Sequence, residues 1–116
     1  MTTSPRTFAT ALRLFEAGAP RQAEQICRHL LMPDPAHAPA LNLLGVIAHQ
    51  AGQHVEAIPW IRQAISFRPD NPEFHYNLGV AQQFLGQLDE AVASSRLALR
   101  LEPDHADAHN NSSAEA

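Results

Sequence analysis

The residues best suited to metal chemistry lie near the end of the chain. His105 and His109 are four residues apart, with Asp104 and Asp107 beside them. Two histidines at this spacing share one face of a helix, where both imidazoles can reach one metal ion. The segment supplies neither a third ligand at a fixed position nor an enclosed pocket. We therefore interpret the spacing as coincidental and predict no metal site and no cofactor.

A second candidate for chemistry is Cys27, the one cysteine of the chain. A lone thiol forms no internal disulfide, so the fold does not depend on an oxidising compartment. Its neighbours Ile26, Leu30 and Leu31 place it on an apolar helical face. No base stands at a spacing that would activate it. We predict a small buried side chain.

Other catalytic patterns are absent from the sequence. There is no phosphate-binding loop, no glycine-rich dinucleotide turn and no arrangement of a serine nucleophile with histidine and aspartate. The adjacent carboxylates Asp89 and Glu90 fall in the first turn of a predicted helix, where they favour the helix dipole. We predict that this chain is not itself an enzyme. A catalytic domain in a longer protein stays an open alternative.

Charge and hydropathy indicate which classes of partner and which cellular compartment suit this sequence. The 116 residues include 8 basic and 12 acidic ones, which gives a formal net charge of -4, and the basic residues are scattered. This balance argues against nucleic acid and against an anionic membrane as partners. No apolar segment approaches the ~20 residues of a membrane span, and the first residues lack the pattern of a secretory signal. These features predict a cytoplasmic protein.

The strongest feature is an internal repeat. Residues 76–92 read YNLGVAQQFLGQLDEAV, and 34 residues earlier 42–58 read NLLGVIAHQAGQHVEAI. The register continues beyond the quoted stretch, since Pro69 recurs as Pro103. A fixed period over this length is typical of repeat architectures.

A weaker copy precedes these two, with Gly18, Ala23 and Pro35 each 34 residues before their counterparts. The sequence thus predicts three units, at 4–37, 38–71 and 72–105.

Each unit divides into two helices at its second glycine. Around 73–85 and 88–101 the apolar residues follow helical spacing, and Gly86 between them suits the left-handed position that ends a helix. Gly79 lies inside the first of these helices, where a small residue lets its neighbour approach closely. Pro59 interrupts the second helix of the middle unit, which predicts a kink or a late helix start there. The fold class is therefore all-α, with six helices in three antiparallel hairpins.

At this point the residues resemble a known family, the tetratricopeptide repeat. The matching pattern is an early Leu-Gly pair, a second glycine, two alanines and a closing proline, found as Leu44-Gly45, Gly52, Ala57, Ala64 and Pro69 and as Leu78-Gly79, Gly86, Ala91, Ala98 and Pro103. The resemblance implies an α-solenoid, a right-handed superhelical stack of three hairpins over residues 1–105. Residues 106–116 are then a polar tail or the truncated start of a fourth repeat.

The resemblance also implies a function. First helices of such repeats line a concave face that binds a peptide or partner protein. When the groove positions of the family are transferred to this sequence one by one, the resemblance implies a set of groove residues. They are Phe8, Leu12, Phe15, Asn42, Leu43, Val46, His49, Glu73, Tyr76, Asn77, Val80 and Gln83. Core packing is an alternative for Leu12 and Val46.

One binding mode of the family is excluded by the residues present. Some three-repeat modules clamp a carboxyl-terminal carboxylate with cations and an asparagine. Phe8, Glu73 and Asn77 occupy the corresponding positions here, and the Glu73 carboxylate would repel such a ligand. We predict no binding of acidic chaperone tails.

Two other readings remain open. Similar repeats recruit substrates for larger enzymes such as protein glycosyltransferases, using an asparagine ladder. Asn77 and Asn111 fit that ladder, whereas Ala9 and Leu43 do not. Alternatively, the polar tail covers Val92 and the last hairpin poorly, which predicts self-association through this end or a structural, self-assembling repeat protein.

Overall fold

The computed structural model describes residues 7–102, which form six α-helices and, within that range, no β-strand. In chain order the helices are α1 (Phe8–Glu16), α2 (Pro20–Leu31), α3 (Ala38–Gln50), α4 (His54–Phe67), α5 (Pro72–Phe84) and α6 (Leu88–Leu101). The predicted all-α class and the hairpin architecture are confirmed.

Glycine ends the first helix of every hairpin. Gly18, Gly52 and Gly86 have φ of 88°, 82° and 79°, in the left-handed region that costs glycine little. After Gly86 the amide of Gln87 donates to the carbonyl of Gln82 at 2.9 Å, which is the closing bond of a Schellman turn. The same turn geometry at all three positions gives the hairpins matching shapes.

The first helices also begin on side-chain caps. Thr7 caps α1. At the start of α3, the Nδ1 of His37 accepts a hydrogen bond from the Ala40 amide at 3.2 Å. At the start of α5, the Oδ1 of Asn71 accepts one from the Glu73 amide at 2.9 Å. These bonds satisfy amides that the helix itself leaves free. Short turns containing Asp34 and Asp70 precede the second and third hairpins.

The core runs along the stack as three neighbouring clusters. The first is built on Ala11, Cys27 and Leu44 from α1, α2 and α3. The second joins α3, α4 and the start of α5, and the third joins α4 to α5 through Ile61 and Leu78. Because every cluster draws on at least two hairpins, each hairpin is stabilised by its neighbour.

Helix α4 contains Pro59 in its interior. The helix begins at His54 and continues through Pro59 to Phe67, so of the two expected outcomes, a kink or a late helix start, the late start is wrong. Proline has no amide hydrogen, so the carbonyl of Val55 lacks its usual helical donor. The neighbouring packing keeps the segment helical in spite of this loss, since Ala57, Ile61 and Ala64 of the same helix are buried.

Several predictions fall outside the described residues. They concern the helix stop at Pro103, the histidines His105 and His109, Asn111, and the tail or fourth repeat at 106–116. Between residues 7 and 102, no helix combines the length and the apolar character needed to cross a membrane.

Candidate functional site

The predicted groove residues occupy one stripe on each first helix. On α1 they are Phe8, Leu12 and Phe15, and on α3 they are Asn42, Val46 and His49, with spacings of four and three residues. Spacings of three and four place side chains on one helical face. The α5 set continues the pattern and comprises Glu73, Tyr76, Asn77, Val80 and Gln83.

A hydrogen bond joins two of these stripes across the repeats. The Asn77 Nδ2 donates to the Asn42 Oδ1 at 3.1 Å, and both side chains are half-buried. Helix α1 in turn contacts α3, and α3 contacts α5. The stripes of the second and third hairpins therefore meet on one surface.

The predicted groove residues differ in how far they are buried. Leu43 is only 4% exposed and belongs to the first core cluster, so its placement in the groove is wrong. It follows Asn42 by one residue, and one helical step of about 100° turns it away from that face. Phe8, Phe15 and Val46 are half-buried and pack against the same cluster. Leu12, at 37% exposed, is more open to solvent.

The α5 stripe is the more polar part of the surface. Glu73 and Gln83 are exposed, whereas Tyr76 and Val80 are half-buried. The stripes on the three helices contain neither lysine nor arginine, and Glu73 is their one carboxylate. The surface can thus offer amide hydrogen bonds and apolar contacts but no cationic clamp for an anion.

A cluster that the sequence reading missed surrounds His49. Its Nδ1 lies 2.7 Å from the Nδ1 of His54, and the Phe84 ring contacts both imidazoles, with centroids at 5.0 Å and 4.8 Å. Burial, and secondarily His54, lowers the pKa of His49 below its ordinary value. The sequence feature that could have revealed this contact is the short turn of the hairpin, because it brings the start of α4 beside the end of α3.

A cavity of about 610 Å³ lies among α2, α3 and α4. Phe15, Leu44, Ile47 and Trp60 line it, together with charged residues that include Glu24 and Arg28. There the Arg28 guanidinium lies 5.4 Å above the Trp60 ring and its Nε donates to Glu24 at 2.9 Å. Phe15 therefore borders a space between hairpins, in addition to its place on the α1 stripe.

Among residues 7–102 no three histidine, cysteine or acidic side chains are grouped to hold a metal ion. Cys27 is fully buried, as predicted, and no described buried side-chain nitrogen or oxygen lacks a hydrogen-bond partner.

Comparison with family models identifies the repeat. A model described as a TPR repeat matches residues 45–83, and a tetratricopeptide repeat model matches residues 72–105. Together the two matches extend over more than half of the 116 residues.

Comparison with curated proteins finds an uncharacterized protein, y4yS, from Sinorhizobium fredii (strain NBRC 101917 / NGR234). It is 32% identical over 84 residues, which cover 69% of this chain and 46% of the relative. The chain thus spans less than half the length of that relative.

Among solved structures, a mutant O-GlcNAc transferase from Thermobaculum terrenum is similar with a TM-score of 0.87 and 28% identity. The match covers 95% of this chain and 22% of the transferase. The first repeat domain of Spaghetti (RPAP3), bound to the HSP90 peptide SRMEEVD, is similar with a TM-score of 0.82 at 18% identity. That match covers 89% of this chain and 82% of the domain. At that identity the second likeness concerns the fold alone.

Proposed function

Because the chain belongs to the tetratricopeptide-repeat family, we propose that it is a protein-interaction scaffold that holds a peptide or partner protein against its first helices. The observation that carries the proposal is the hydrogen bond between Asn77 and Asn42. It brings the α3 and α5 stripes side by side and so supports one continuous binding surface. Half-buried apolar groups beside amides suit a peptide backbone with apolar anchors.

Affinity capture with matched variants tests this proposal. The wild-type chain and a Leu12→Ala/Gln83→Ala variant are used as bait, and captured proteins are identified by mass spectrometry. Both side chains are exposed, so their truncation leaves the core intact. Gln63→Ala on α4 is the control, because Gln63 is also exposed but lies on the second helix of its hairpin. We expect the groove variant to lose a partner that the control keeps.

Retention of every partner by the groove variant would place binding on another surface. Equal loss in the control would attribute the effect to general destabilisation. Thermal unfolding of all three proteins, measured in parallel, separates these outcomes.

The charge of the surface leads to a specific negative prediction. The RPAP3 domain binds SRMEEVD, a peptide with an acidic end. Here Phe8 and Glu73 occupy positions where a carboxylate clamp needs cations, so the peptide's carboxylates would be repelled. We expect no saturable change in the fluorescence polarisation of labelled SRMEEVD. Tight binding that weakens with salt would contradict this expectation.

A second candidate function is substrate recruitment for a larger enzyme. The likeness to the transferase, which covers 95% of this chain but 22% of that protein, favours it. Among residues 7–102, Asn77 is the one asparagine at a ladder position, because Ala9 and Leu43 occupy the equivalent positions of the other two repeats. The size of the native protein in extracts, detected with an antibody against this chain, discriminates the two. A product much longer than 116 residues supports recruitment, and one of this length supports the scaffold alone.

A further inference from the structure

We propose that His49, His54 and Phe84 form a proton-sensitive clamp between the second and third hairpins, and that the clamp opens at acidic pH. The two histidines belong to the α3–α4 hairpin, whereas Phe84 is the last residue of α5. Their rings are in mutual contact, so the cluster joins neighbouring repeats through side chains that can change charge.

The clamp depends on a hydrogen bond between two imidazoles. The Nδ1 atoms of His49 and His54 are 2.7 Å apart, so one ring donates its Nδ1 proton and the other accepts with a lone pair. Phe84 stacks on His54 with an interplanar angle of 21° and meets His49 edge-on at 73°. The aromatic ring thus rests on both members of the pair.

The two protonation steps affect this bond differently. A first proton can bind the Nε2 of the donor ring, which leaves the shared N–H···N bond in place. The resulting cation also suits the face of Phe84. A second proton removes the acceptor and sets two positive rings against each other at the distance of the former bond. The bond is then lost, the rings separate, and Phe84 loses its contacts.

The surrounding charges do not offset this repulsion. Burial and the His54 ring both lower the pKa of His49, which makes the doubly charged state unfavourable in the folded protein. None of the acidic groups on the helices around the cluster makes an ion pair or hydrogen bond with it within residues 7–102. The titratable and charged groups on the helices packed around the cluster are Arg13 and Glu16 on α1, Arg21, Glu24, Arg28 and His29 on α2, Glu56 and Arg62 on α4, Glu73, His75 and Tyr76 on α5, and Asp89, Glu90, Arg96 and Arg100 on α6.

The repeat supplies an internal comparison. Thirty-four residues before His49, His54 and Phe84 stand Phe15, Pro20 and Gln50, none of which titrates. Thirty-four residues after the two histidines stand Gln83 and Leu88. The cluster therefore belongs to the second junction alone. Gln83 and Leu88 also show which residues the fold accepts at the two histidine positions.

The test compares the wild-type chain with a His49→Gln/His54→Leu variant. Urea unfolding is measured for both between pH 8 and pH 5. A lowered pKa in the folded state means that the stability from neutral His49 is complete above the unfolded value of about 6.5 and is lost as the pH falls. We expect the folding equilibrium constant of the wild type to fall several-fold more than that of the variant. The remaining histidines are present in both proteins, so their contributions cancel in the comparison.

A second measurement, NMR of the cluster in the wild-type chain, does not depend on whether the variant folds. The ring-current-shifted NMR signals of Phe84 and of the two imidazoles are followed over the same pH range. We expect two coupled titration steps, with the Phe84 signals moving in the second step. His29→Gln, an exposed histidine on α2, is the control and should change neither readout.

Either of two results would overturn the proposal. One is the same pH dependence of stability in the wild type and the double variant. The other is independent titration of the two imidazoles with Phe84 signals that stay constant.

Discussion

At the scale of single residues, two helical glycines determine how closely the helices of a hairpin approach. A Cβ atom added to Gly45 would lie 2.5 Å from the Ile61 Cγ1 and 3.1 Å from the Ala57 carbonyl oxygen. A Cβ atom added to Gly79 would lie 3.2 Å from both the Ala91 carbonyl oxygen and the Ser95 Oγ. Glycine costs a helix interior about 1 kcal/mol relative to alanine, and close packing offsets that cost.

The two positions should therefore respond differently to alanine. In Gly45→Ala the added methyl group meets the buried Ile61 side chain, so we expect a loss of roughly 1–3 kcal/mol in the free energy of unfolding. In Gly79→Ala the neighbouring atoms need to shift by only a few tenths of an ångström. The higher helix propensity of alanine offsets the cost of that shift. Urea denaturation of both variants checks the order. A greater loss at Gly79 would contradict this account of the hairpin contact.

Burial of Cys27 leads to a prediction about reactivity. Burial, and secondarily the nearby Glu24 carboxylate, raises the pKa of this thiol to about 11. The nucleophile is the thiolate, so the folded protein at neutral pH presents almost none of it. We expect a thiol reagent such as DTNB to react at neutral pH only at the rate of unfolding, and to react fast in urea. Rapid labelling of the folded chain would show that α2 opens locally.

At the scale of elements, Pro59 is a defect that helix α4 tolerates. Its side chain is exposed, and the helix continues on both sides of it. Proline in a helix interior costs about 3 kcal/mol relative to alanine. Pro59→Ala restores an amide donor for the Val55 carbonyl, so we expect a gain of up to about 3 kcal/mol in the free energy of unfolding. Thermal and urea unfolding measure it. An unchanged or lower stability would mean that the surrounding helices have adapted to the proline.

The helices could be predicted from the sequence because their signals are local. The 34-residue period, the turn glycines and the Leu-Gly pairs each act within one hairpin, and the structure places the helices accordingly. Contacts between hairpins could not be predicted in the same way. Leu43 packs in a core cluster that the first two hairpins share, and Phe84 reaches two histidines some thirty residues earlier. Such details depend on how hairpins stack, which a periodic pattern constrains only coarsely.

At the scale of the whole molecule, the stack presents an apolar surface on α6. On α4, Ile58 and Ile65 pack against the cluster that contains Leu78 and Ala81 of the next hairpin. Thirty-four residues later the same positions are Val92 and Leu99, and no hairpin follows α6 within residues 7–102. Val92 is 49% exposed and Leu88 is 60% exposed. Apolar groups left in water at such a surface favour association.

We therefore expect the chain to form dimers through α6 as its concentration rises. Sedimentation velocity over a range of concentrations should show a shift from monomer to dimer. The variant Leu88→Lys/Val92→Lys should remain monomeric, because burying two ammonium groups in the interface is costly. Met32→Lys is the matched control, since Met32 is also exposed but lies just beyond the end of α2. It should dimerise like the wild type. A wild-type chain that stays monomeric at every concentration would mean that α6 is not a self-association surface.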